Sequence, residues 1–304
     1  MSQIFVCGLI NLETTLAIDG FPLTYFPVCY PFFGVQTTVS GVGFNLASAL
    51  TKLGNQVDFA TLIGGDDNGL LVRKALSVEG IADDLVLDRS RATAQSIILY
   101  EPSGRRQIHV DLKDMQSQVY PTSIAENALS GCDLAVICNI NFARPILKAA
   151  QEAGTPIATD VHALADLDNE FDLDYMAAAD ILFLSDESLP DSPENITQVM
   201  LGKFPCEILV IGLGEKGALL AVRKDHFLER IPAVYTRPVI NTIGAGDALF
   251  SAFLDGFLRT HNPYDSLRRA MVFASYKVGE KGAAEGFLSG EALDDWEEKV
   301  NKNN

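Results

Sequence analysis

The sequence predicts an α/β fold, in which helices cover both faces of a mostly parallel central sheet. Apolar runs of strand length recur at residues 134–139, 156–160, 181–185 and 207–212. A helical pattern at residues 144–153, ended by Gly154, separates the first two runs. Continuous apolar strands that alternate with helices are typical of a sheet buried on both sides. With 304 residues and 48% hydrophobic content, the chain can bury such a core.

Other segments predict the helices nearest to a ligand. Residues 1–8 are expected to form a first strand. Residues 40–45, Ser-Gly-Val-Gly-Phe-Asn, lead into a helix with leucines at 46, 50 and 53 on one face and Gly54 at its end. Its glycines could let a ligand approach the backbone, or they could mark an ordinary helix start. The residues after Asp247 are apolar on nearly every side, which predicts a central buried helix.

Two segments interrupt this pattern and predict a small β subdomain. Residues 14–40 are rich in Thr, Val, Phe and Tyr, and residues 93–110 alternate around a Pro-Ser-Gly turn at 102–104 that predicts a hairpin. We therefore divide the chain into an α/β core of residues 1–13, 41–92 and 111–304 and a β lid of residues 14–40 and 93–110. A lid over the active site and an edge extension that only packs remain alternatives.

Composition excludes several classes of protein. The net charge of −17 argues against a nucleic-acid partner. No apolar run reaches the roughly 18 residues of a membrane span, and the N-terminus lacks a secretion signal, so we expect a cytoplasmic protein without a membrane partner. The odd number of cysteines without a C-x-x-C pair argues against zinc and disulfides, and the scattered histidines give no metal site. The cysteines are residues 7, 29, 132, 138 and 206, and the histidines are residues 109, 162, 226 and 261.

Residues 241–247 carry the strongest chemical signal. Gly244, Ala245 and Gly246 stand where a loop becomes a helix, and such small residues leave their backbone N–H groups unobstructed. The first N–H groups of a helix lack intrahelical acceptors and lie at the positive end of the helix dipole, which makes an anion site. Asp247 places a carboxylate beside that site and predicts a base that takes a proton from a nucleophile attacking phosphate. The alternative is a tight turn with an acidic residue that only stabilises a helix start.

A second glycine-rich stretch, residues 212–217, matches G-x-G-x-x-G. A dinucleotide-binding site needs a helix after this motif, but residues 218–222 predict a strand and residues 223–226 a turn. We therefore reject a nicotinamide dehydrogenase. A P-loop is excluded because no glycine-rich run ends in G-K-[ST]. Polar residues at the ends of the predicted strands mark the edge where ligands bind in parallel sheets, although polar residues end most strands: Asn139, Asp160, Ser185 and Gly212.

Three segments together resemble the ribokinase-like, PfkB-type carbohydrate kinases. Residues 41–45 and 53–54 with 63–69 resemble the N-terminal signature of the family, residues 241–247 its C-terminal signature D-T-x-G-A-G-D, and residues 212–217 the border of its nucleotide site. Order and spacing agree over most of the chain. The resemblance implies a three-layer α/β/α sandwich with a β-sheet lid that often forms dimers. It also implies magnesium-dependent transfer of the ATP γ-phosphate to a hydroxyl group, usually on a sugar or nucleoside.

The resemblance also implies roles for individual residues. Asp247 is the general base, and Gly244, Ala245 and Gly246 form the anion hole for the transferring phosphoryl group. The implied substrate contacts are Asn11, Glu13, Gly41, Asn45 and Asp247. The implied nucleotide contacts are Gly212, Gly214, Gly217, Thr242, Gly244 and Gly246. Lid residues around Ile97, Tyr100 and Ile108 are expected to close over the substrate.

The sequence departs from the family pattern at three places. Asn241 replaces an Asp that the family links to a monovalent cation site, which puts potassium activation in doubt. Ser185 and Ser188 stand where the N-x-x-E motif, associated with magnesium and phosphate, is expected. Asp186 or Glu187 could supply the missing carboxylate. Ser40 replaces the first glycine of a pair, which is a minor change.

The leading hypothesis is an ATP- and magnesium-dependent kinase for a small polyhydroxylated substrate. A nucleoside kinase is the alternative within the family, because a base could stack on aromatic residues between positions 21 and 33, although a dimer interface through the lid is the favoured explanation of these residues. Arg105 and Arg106 at the hairpin turn could select an acidic sugar. A non-catalytic nucleotide-binding regulator is the alternative from another class, motivated by the altered residues 185–188.

Overall fold

A nine-stranded sheet runs through the centre of the protein, whose computed structural model describes residues 1–303. With strands numbered along the chain, this sheet contains β1 (Gln3–Cys7), β4 (Gln56–Gly64), β5 (Val86–Ser90), β8 (Leu134–Ile137), β9 (Ile157–Ala163), β10 (Ile181–Ser185), β11 (Ile208–Gly212), β12 (Ala218–Val222) and β13 (Phe227–Ile231). Their spatial order is β13-β12-β11-β10-β9-β8-β1-β4-β5. All neighbours from β11 to β5 are parallel, whereas β12 is antiparallel to both β11 and β13.

Helices cover both faces of this sheet. One apolar layer contains side chains of α1 (Val42–Lys52), α2 (Asp67–Glu79), α7 (Ala245–Thr260), α8 (Pro263–Lys277) and α9 (Gly290–Asn303). The opposite layer contains side chains of α3 (Thr122–Gly131), α4 (Arg144–Ala153), α5 (Glu170–Ala178) and α6 (Pro193–Lys203). Along β1, Ile4 and Val6 join the first layer and Phe5 and Cys7 join the second. The predicted three-layer α/β/α sandwich is therefore confirmed.

A separate four-stranded sheet, here called the small sheet, projects from this core. It consists of β2 (Asn11–Ala17), β3 (Val35–Ser40), β6 (Gln95–Tyr100) and β7 (Arg106–Asp111), in the order β3-β2-β6-β7. The predicted hairpin around residues 102–104 is present, because β6 and β7 pair antiparallel. Along β6, Ser96 and Ile98 are buried while Ile97 is half exposed, so alternate side chains face the core and the solvent.

Several elements lie where the sequence predicted them. Helix α4 has the predicted bounds, and Gly154 ends it in the left-handed region at φ 72°. Strand β12 with its turn at residues 223–226 replaces the helix that a dinucleotide-binding site requires, which confirms the rejection of that class. Helix α7 is buried from Asp247 to Gly256. Within residues 1–303, we find no helix with both the length and the apolarity needed to cross a bilayer.

Gly43 owes its identity to packing. A Cβ atom built on Gly43 would stand 2.5 Å from the carbonyl carbon of Gly8 and 2.7 Å from its Cα atom. Both distances are too short for carbon atoms in contact. The start of α1 and the turn after β1 can therefore approach this closely only because residue 43 has no Cβ atom. This close approach places α1 against β1 and thereby positions Asn45, on α1, for the site described below.

We expect Gly43→Ala to lower the free energy of unfolding by about 1–3 kcal/mol, the usual cost of overpacking a rigid contact. Gly65→Ala is the matched control, because a Cβ atom at the exposed Gly65 meets no atom within 4 Å. Urea denaturation of both variants measures the difference. Equal midpoints for the two variants would show that the backbone contact yields without cost.

Candidate active site

A chain of buried side chains connects the small sheet to the first turn of α7. The Asn45 Nδ2 group on α1 donates to Asp247 Oδ2 at 2.7 Å. The Ser40 hydroxyl at the end of β3 lies 3.3 Å from Asn45 Oδ1 and donates to Glu13 Oε2 on β2 at 3.2 Å. All four side chains are buried. The structure thus brings Glu13, Asn45 and Asp247, which lie far apart in the sequence, into one polar cluster.

Two buried acceptors on β2 have no hydrogen-bond partner within residues 1–303. Glu13 Oε1 and Asn11 Oδ1 are buried, and neither forms a hydrogen bond with any group in residues 1–303. The Asn11 Nδ2 group donates to Ser96 Oγ at 3.0 Å, which fixes the side chain. A buried acceptor without a donor costs free energy, about 1–3 kcal/mol. Two such atoms on one face of β2 are therefore suited to accept hydrogen bonds from a ligand that carries hydroxyl groups.

Both carboxylates of the cluster hold their protons more strongly than usual. Burial raises the pKa of Asp247, and the hydrogen bond from Asn45 and the positive charges of His162 and Lys277 offset this only in part. Burial likewise raises the pKa of Glu13, and the neighbouring charge of Asp247 raises it further. A carboxylate with a raised pKa is a stronger base, which suits the removal of a proton from an alcohol.

The N-terminus of α7 offers free backbone donors beside Asp247. Among residues 1–303, the N–H groups of Gly244, Gly246 and Asp247 have no protein acceptor, whereas the N–H group of Ala245 already donates to the Thr242 carbonyl at 3.2 Å. Gly244 lies in the left-handed region at φ 72°, where a Cβ atom would stand 2.6 Å from the Ala283 carbonyl oxygen. Of the three residues predicted to form an anion hole, Gly244 and Gly246 thus have free N–H groups within the described part of the chain and Ala245 does not, while the N–H group of Asp247 is also free.

A buried lysine holds this turn in place. Lys277, the last residue of α8, is 0% exposed, and its ammonium group donates to the carbonyls of Ile243 and Gly282. Burial lowers the pKa of Lys277 to about 8, although Asp247 and other carboxylates nearby work against this shift. The sequence analysis missed this residue. The available signal was helical spacing, because Lys277 continues the buried positions Ala270 and Phe273.

The small sheet contacts the same turn. The Arg106 Nη1 group on β7 donates to Thr242 Oγ at 2.5 Å, and Ile98 packs with Ile243 and Ala283. Ile98 pairs with Ile108 across the hairpin, so both lie on the same face of the small sheet, whereas Ile97 lies on the opposite face. The expectation that Ile97 closes over the site is wrong for this reason, since side chains alternate along a strand.

A pair of oppositely charged side chains, Asp160 and His162, lies at the end of β9. Asp160 Oδ1 accepts the backbone N–H of His162 at 2.8 Å, and its other oxygen lies 3.4 Å from His162 Nδ1. Burial works against the charged imidazole, but Asp160, Asp247 and Asp172 outweigh it and raise the pKa of His162 to about 9. His162 is therefore a cation at neutral pH whose field reaches Asp247. Sequence reasoning identified Asp160 as a strand end but missed His162.

Three of the residues expected around the nucleotide, all glycines, lie elsewhere on the same edge of the sheet. Gly212 ends β11, Gly214 and Gly217 lie in the short turn before β12, and the Gly212 carbonyl accepts the Asp186 N–H at 2.9 Å. Within residues 1–303, no hydrogen bond joins this group to the Asp247 cluster. Gly41 precedes α1, and its carbonyl accepts the Asn45 N–H at 2.8 Å.

Metal ligands are sparse in the part of the chain that the structure describes. No group of three or more His, Cys, Asp or Glu side chains there is arranged to hold a metal ion. Asp186 and Glu187 follow directly on β10, and their carboxylates form no hydrogen bond or ion pair with residues 1–303. Both carboxylates are therefore available to a ligand, and Mg²⁺ is usually bound by one or two carboxylates plus substrate phosphates.

Comparison with known proteins extends this picture. The model of the pfkB family carbohydrate kinases matches residues 1–289. Acarbose 7(IV)-phosphotransferase of Actinoplanes sp. is 24% identical over 294 residues, which cover 96% of this chain and 97% of that protein.

Two solved structures share the fold. Mak1, a microbiome-derived acarbose kinase, superimposes with a TM-score of 0.87 at 23% identity, over 97% of this chain and 98% of that one. Arabidopsis thaliana ribokinase complexed with ribose and ATP superimposes with a TM-score of 0.79 at 20% identity, again over 97% and 98%. At these identities the two structures establish the fold alone. The family match over nearly the whole chain establishes more: the protein belongs to the pfkB family of carbohydrate kinases, enzymes that transfer a phosphoryl group to an alcohol.

Proposed function

We propose that the protein transfers the γ-phosphate of ATP to a hydroxyl group of a small sugar or sugar-like substrate. The observation that carries this proposal is the buried Asp247 carboxylate beside free N–H groups at the start of α7, joined through Asn45 and Ser40 to Glu13, whose Oε1 atom lacks a donor within residues 1–303. Only a ligand that is both polyhydroxylated and phosphorylated in the reaction uses all of these features. Mak1 and the Arabidopsis ribokinase, which share the fold, are by name a kinase for acarbose and a protein bound to ribose and ATP.

In the proposed reaction, Asp247 takes the proton of the attacking hydroxyl group as its oxygen forms a bond to the γ-phosphorus. The bond between the γ-phosphorus and the oxygen that bridges it to the β-phosphate breaks, and ADP leaves. The N–H groups of Gly244 and Gly246 stabilise the charge on the phosphoryl oxygens in flight. Glu13 and Asn11 accept hydrogen bonds from other hydroxyl groups and so orient the sugar.

The nucleotide is proposed to lie along Gly212, Gly214 and Gly217, with its phosphates toward Thr242 and Gly244. This position is supported by the resemblance of residues 212–217 and 241–247 to the segments that border the nucleotide in the family. Asp186 and Glu187 would hold magnesium, which offsets the negative charge of the phosphates when it is bound. Arg106 on the small sheet would add a positive charge near those phosphates, and we propose that the small sheet acts as a lid.

A sugar is favoured over a nucleoside by the positions of the aromatic side chains. The residues that could have stacked on a base are largely exposed in the segment between β2 and β3: Tyr25, Phe26, Tyr30, Phe32 and Phe33.

We propose a cytoplasmic location as well, since all five cysteines are free thiols and the pKa of the buried Cys7 thiol is raised by burial.

An ADP-release screen with magnesium over sugars, sugar acids and nucleosides tests the acceptor class. Nucleotide binding without ADP release on any acceptor would indicate a regulatory protein instead.

Asp247→Asn should reduce kcat by about 10²- to 10⁴-fold, the usual contribution of general-base catalysis. Asparagine can still accept the hydrogen bond from Asn45, so thermal unfolding should change little. The base must be ionised to act, so wild-type kcat/KM should fall as the pH decreases through the pKa of Asp247. Because burial raises this pKa, the fall should occur at a higher pH than for an ordinary aspartate. Asp67→Asn, in the exposed first turn of α2, is the control. Turnover like that of the wild type in Asp247→Asn would remove this residue from the mechanism.

Glu13→Gln should raise KM for the acceptor sugar about 10-fold or more, because a hydrogen bond to a charged group contributes about 1.5–3 kcal/mol. The KM for ATP should stay within about twofold, since Glu13 faces the sugar rather than the nucleotide. Thr14→Val, which changes the neighbouring side chain on the other face of β2, is the control. A variant that alters the KM for ATP but not that for the sugar would contradict the proposed orientation.

We also propose that two copies of the chain associate through the small sheet. Tyr25, Phe32 and Phe33 are 86%, 84% and 104% exposed, and Ile97 on β6, which lies on the face opposite to Ile98, adds further exposed apolar area. Apolar patches of this kind mark interaction surfaces, and the free edges of β3 and β7 adjoin them.

In analytical ultracentrifugation, the wild type should therefore sediment as a dimer, and the Phe32→Ser/Phe33→Ser variant should shift toward monomer. Val78→Ser, an exposed apolar residue on α2, should leave the association unchanged. A wild type that stays monomeric at micromolar concentration would contradict the interface.

A further inference from the structure

Lys277 is a fully buried lysine in a protein whose other lysines are at least partly exposed within residues 1–303. A buried ammonium group is costly unless hydrogen bonds replace its water. Here the group donates to two backbone carbonyls, that of Ile243 in the turn before α7 and that of Gly282, the latter at 2.9 Å. The two carbonyls belong to different segments, so one cation joins both.

Asn241 joins the same two segments from the other side. Its Nδ2 group donates to the Glu280 carbonyl at 3.1 Å and to the Lys281 carbonyl at 2.8 Å, and its Oδ1 atom accepts the Ile243 N–H at 2.9 Å. Four backbone carbonyls, those of residues 243, 280, 281 and 282, therefore receive donors from Lys277 and Asn241. We call residues 241–244 and 280–283 with these two side chains the loop clamp.

The loop clamp solves an electrostatic problem. Carbonyl oxygens that converge in a buried space repel one another and need a positive partner. A monovalent cation coordinated by oxygens is one solution, and a carboxylate at position 241 would favour it. In this protein the Asn241 amide and the Lys277 ammonium group donate hydrogen bonds to these carbonyls, so the positive partner comes from the chain itself. The residues present therefore do not fit the monovalent cation that the resemblance to the family associates with this position.

We propose that the Lys277 ammonium and the Asn241 amide replace a bound monovalent cation and fix the turn that carries Gly244 and Gly246, so that the protein needs no potassium. Lys277 and Asn241 are positioning residues in this proposal, because they act on the anion hole through the backbone of residue 243. The catalytic part of the inference rests on the proposed kinase function, whereas the cation part does not.

The charges around Lys277 support this role. Asp247 from α7, Glu13 from β2, and Glu280 and Glu285 from the segment after α8 all favour the protonated lysine. Without its ammonium, Glu13 and Asp247 would face one another with one positive charge fewer, and a phosphate would be repelled more strongly. The loop clamp therefore provides charge as well as geometry.

The wild type itself gives the first test, in potassium, sodium or tetramethylammonium chloride at equal ionic strength. We expect the thermal midpoint to be the same in all three salts, and kcat to vary by less than about twofold. A rise in midpoint specific to potassium would overturn the inference whether or not the protein is a kinase. Activation by potassium of about tenfold or more, with ADP release intact, would overturn the inference and leave the proposed function standing.

Lys277→Met gives the second test, because methionine fills similar space without the charge. We expect kcat to fall about 10-fold or more, as for a displaced oxyanion donor, and potassium or ammonium ions to restore part of both kcat and the thermal midpoint. Tetramethylammonium, which carbonyls cannot coordinate closely, should restore neither.

Lys74→Met, the same change at an exposed residue of α2, is the control and should behave as the wild type in every salt. A folded Lys277→Met variant with unchanged kcat would overturn the positioning role. Loss of kcat that no cation restores would overturn the replacement of a cation. If Lys277→Met does not fold, the comparison of salts on the wild type decides alone.

Discussion

The structure depends on holding two buried carboxylates, those of Glu13 and Asp247, next to the proposed binding site for a phosphate, which is also negatively charged. Glu13 and Asp247 are both buried, burial and the charge of Asp247 raise the pKa of Glu13, and both carboxylates act against the lowering of the Lys277 pKa by burial. Inside a protein, such charges interact far more strongly than in water. The Ser40 and Asn45 side chains connect them by hydrogen bonds, and each bond also joins two elements of the fold. The small sheet, α1 and α7 therefore share one polar network, which is destabilised as a whole when one member is lost.

Positive charge comes to this cluster from three directions. The first turn of α7 supplies the positive end of a helix dipole. Lys277 supplies an ammonium from α8, and His162 supplies an imidazolium from β9 whose pKa is about 9. The pairing of His162 with Asp160 is present in full below the ordinary histidine pKa and is lost as the pH rises through about 9, because the folded-state pKa is the higher one. These positive charges favour the proposed binding of an anion at neutral pH, in spite of a net charge of −17.

The sequence predicted the fold, and it indicated the glycine-rich turn before α7, because both follow from local patterns. Helix α4, strand β12 and the free amides at Gly244 and Gly246 each depend on residues close together in the chain. The contribution of Lys277 depends on segments that only the fold brings together, so an apolar helix pattern concealed it. The expectation for Ile97 fails for a similar reason: which face of a strand meets the core depends on the register of the sheet, and a shift of one residue exchanges the faces.

Helices α7 and α8 form the hairpin that makes this chemistry possible. Only His261 and Asn262 separate them, and they pack side by side, so the first turn of α7 lies near the last turn of α8. The start of a helix has surplus N–H donors and the end has surplus carbonyls, so the two turns need opposite partners. Asp247 stands at the positive end with an anion site beside it, while Lys277 stands at the negative end and carries its charge back to the carbonyls of the α7 turn. A single antiparallel helix pair therefore positions the proposed base, the anion donors and the cation that holds them, which explains why a lysine inside an apolar helix face is compatible with a stable core.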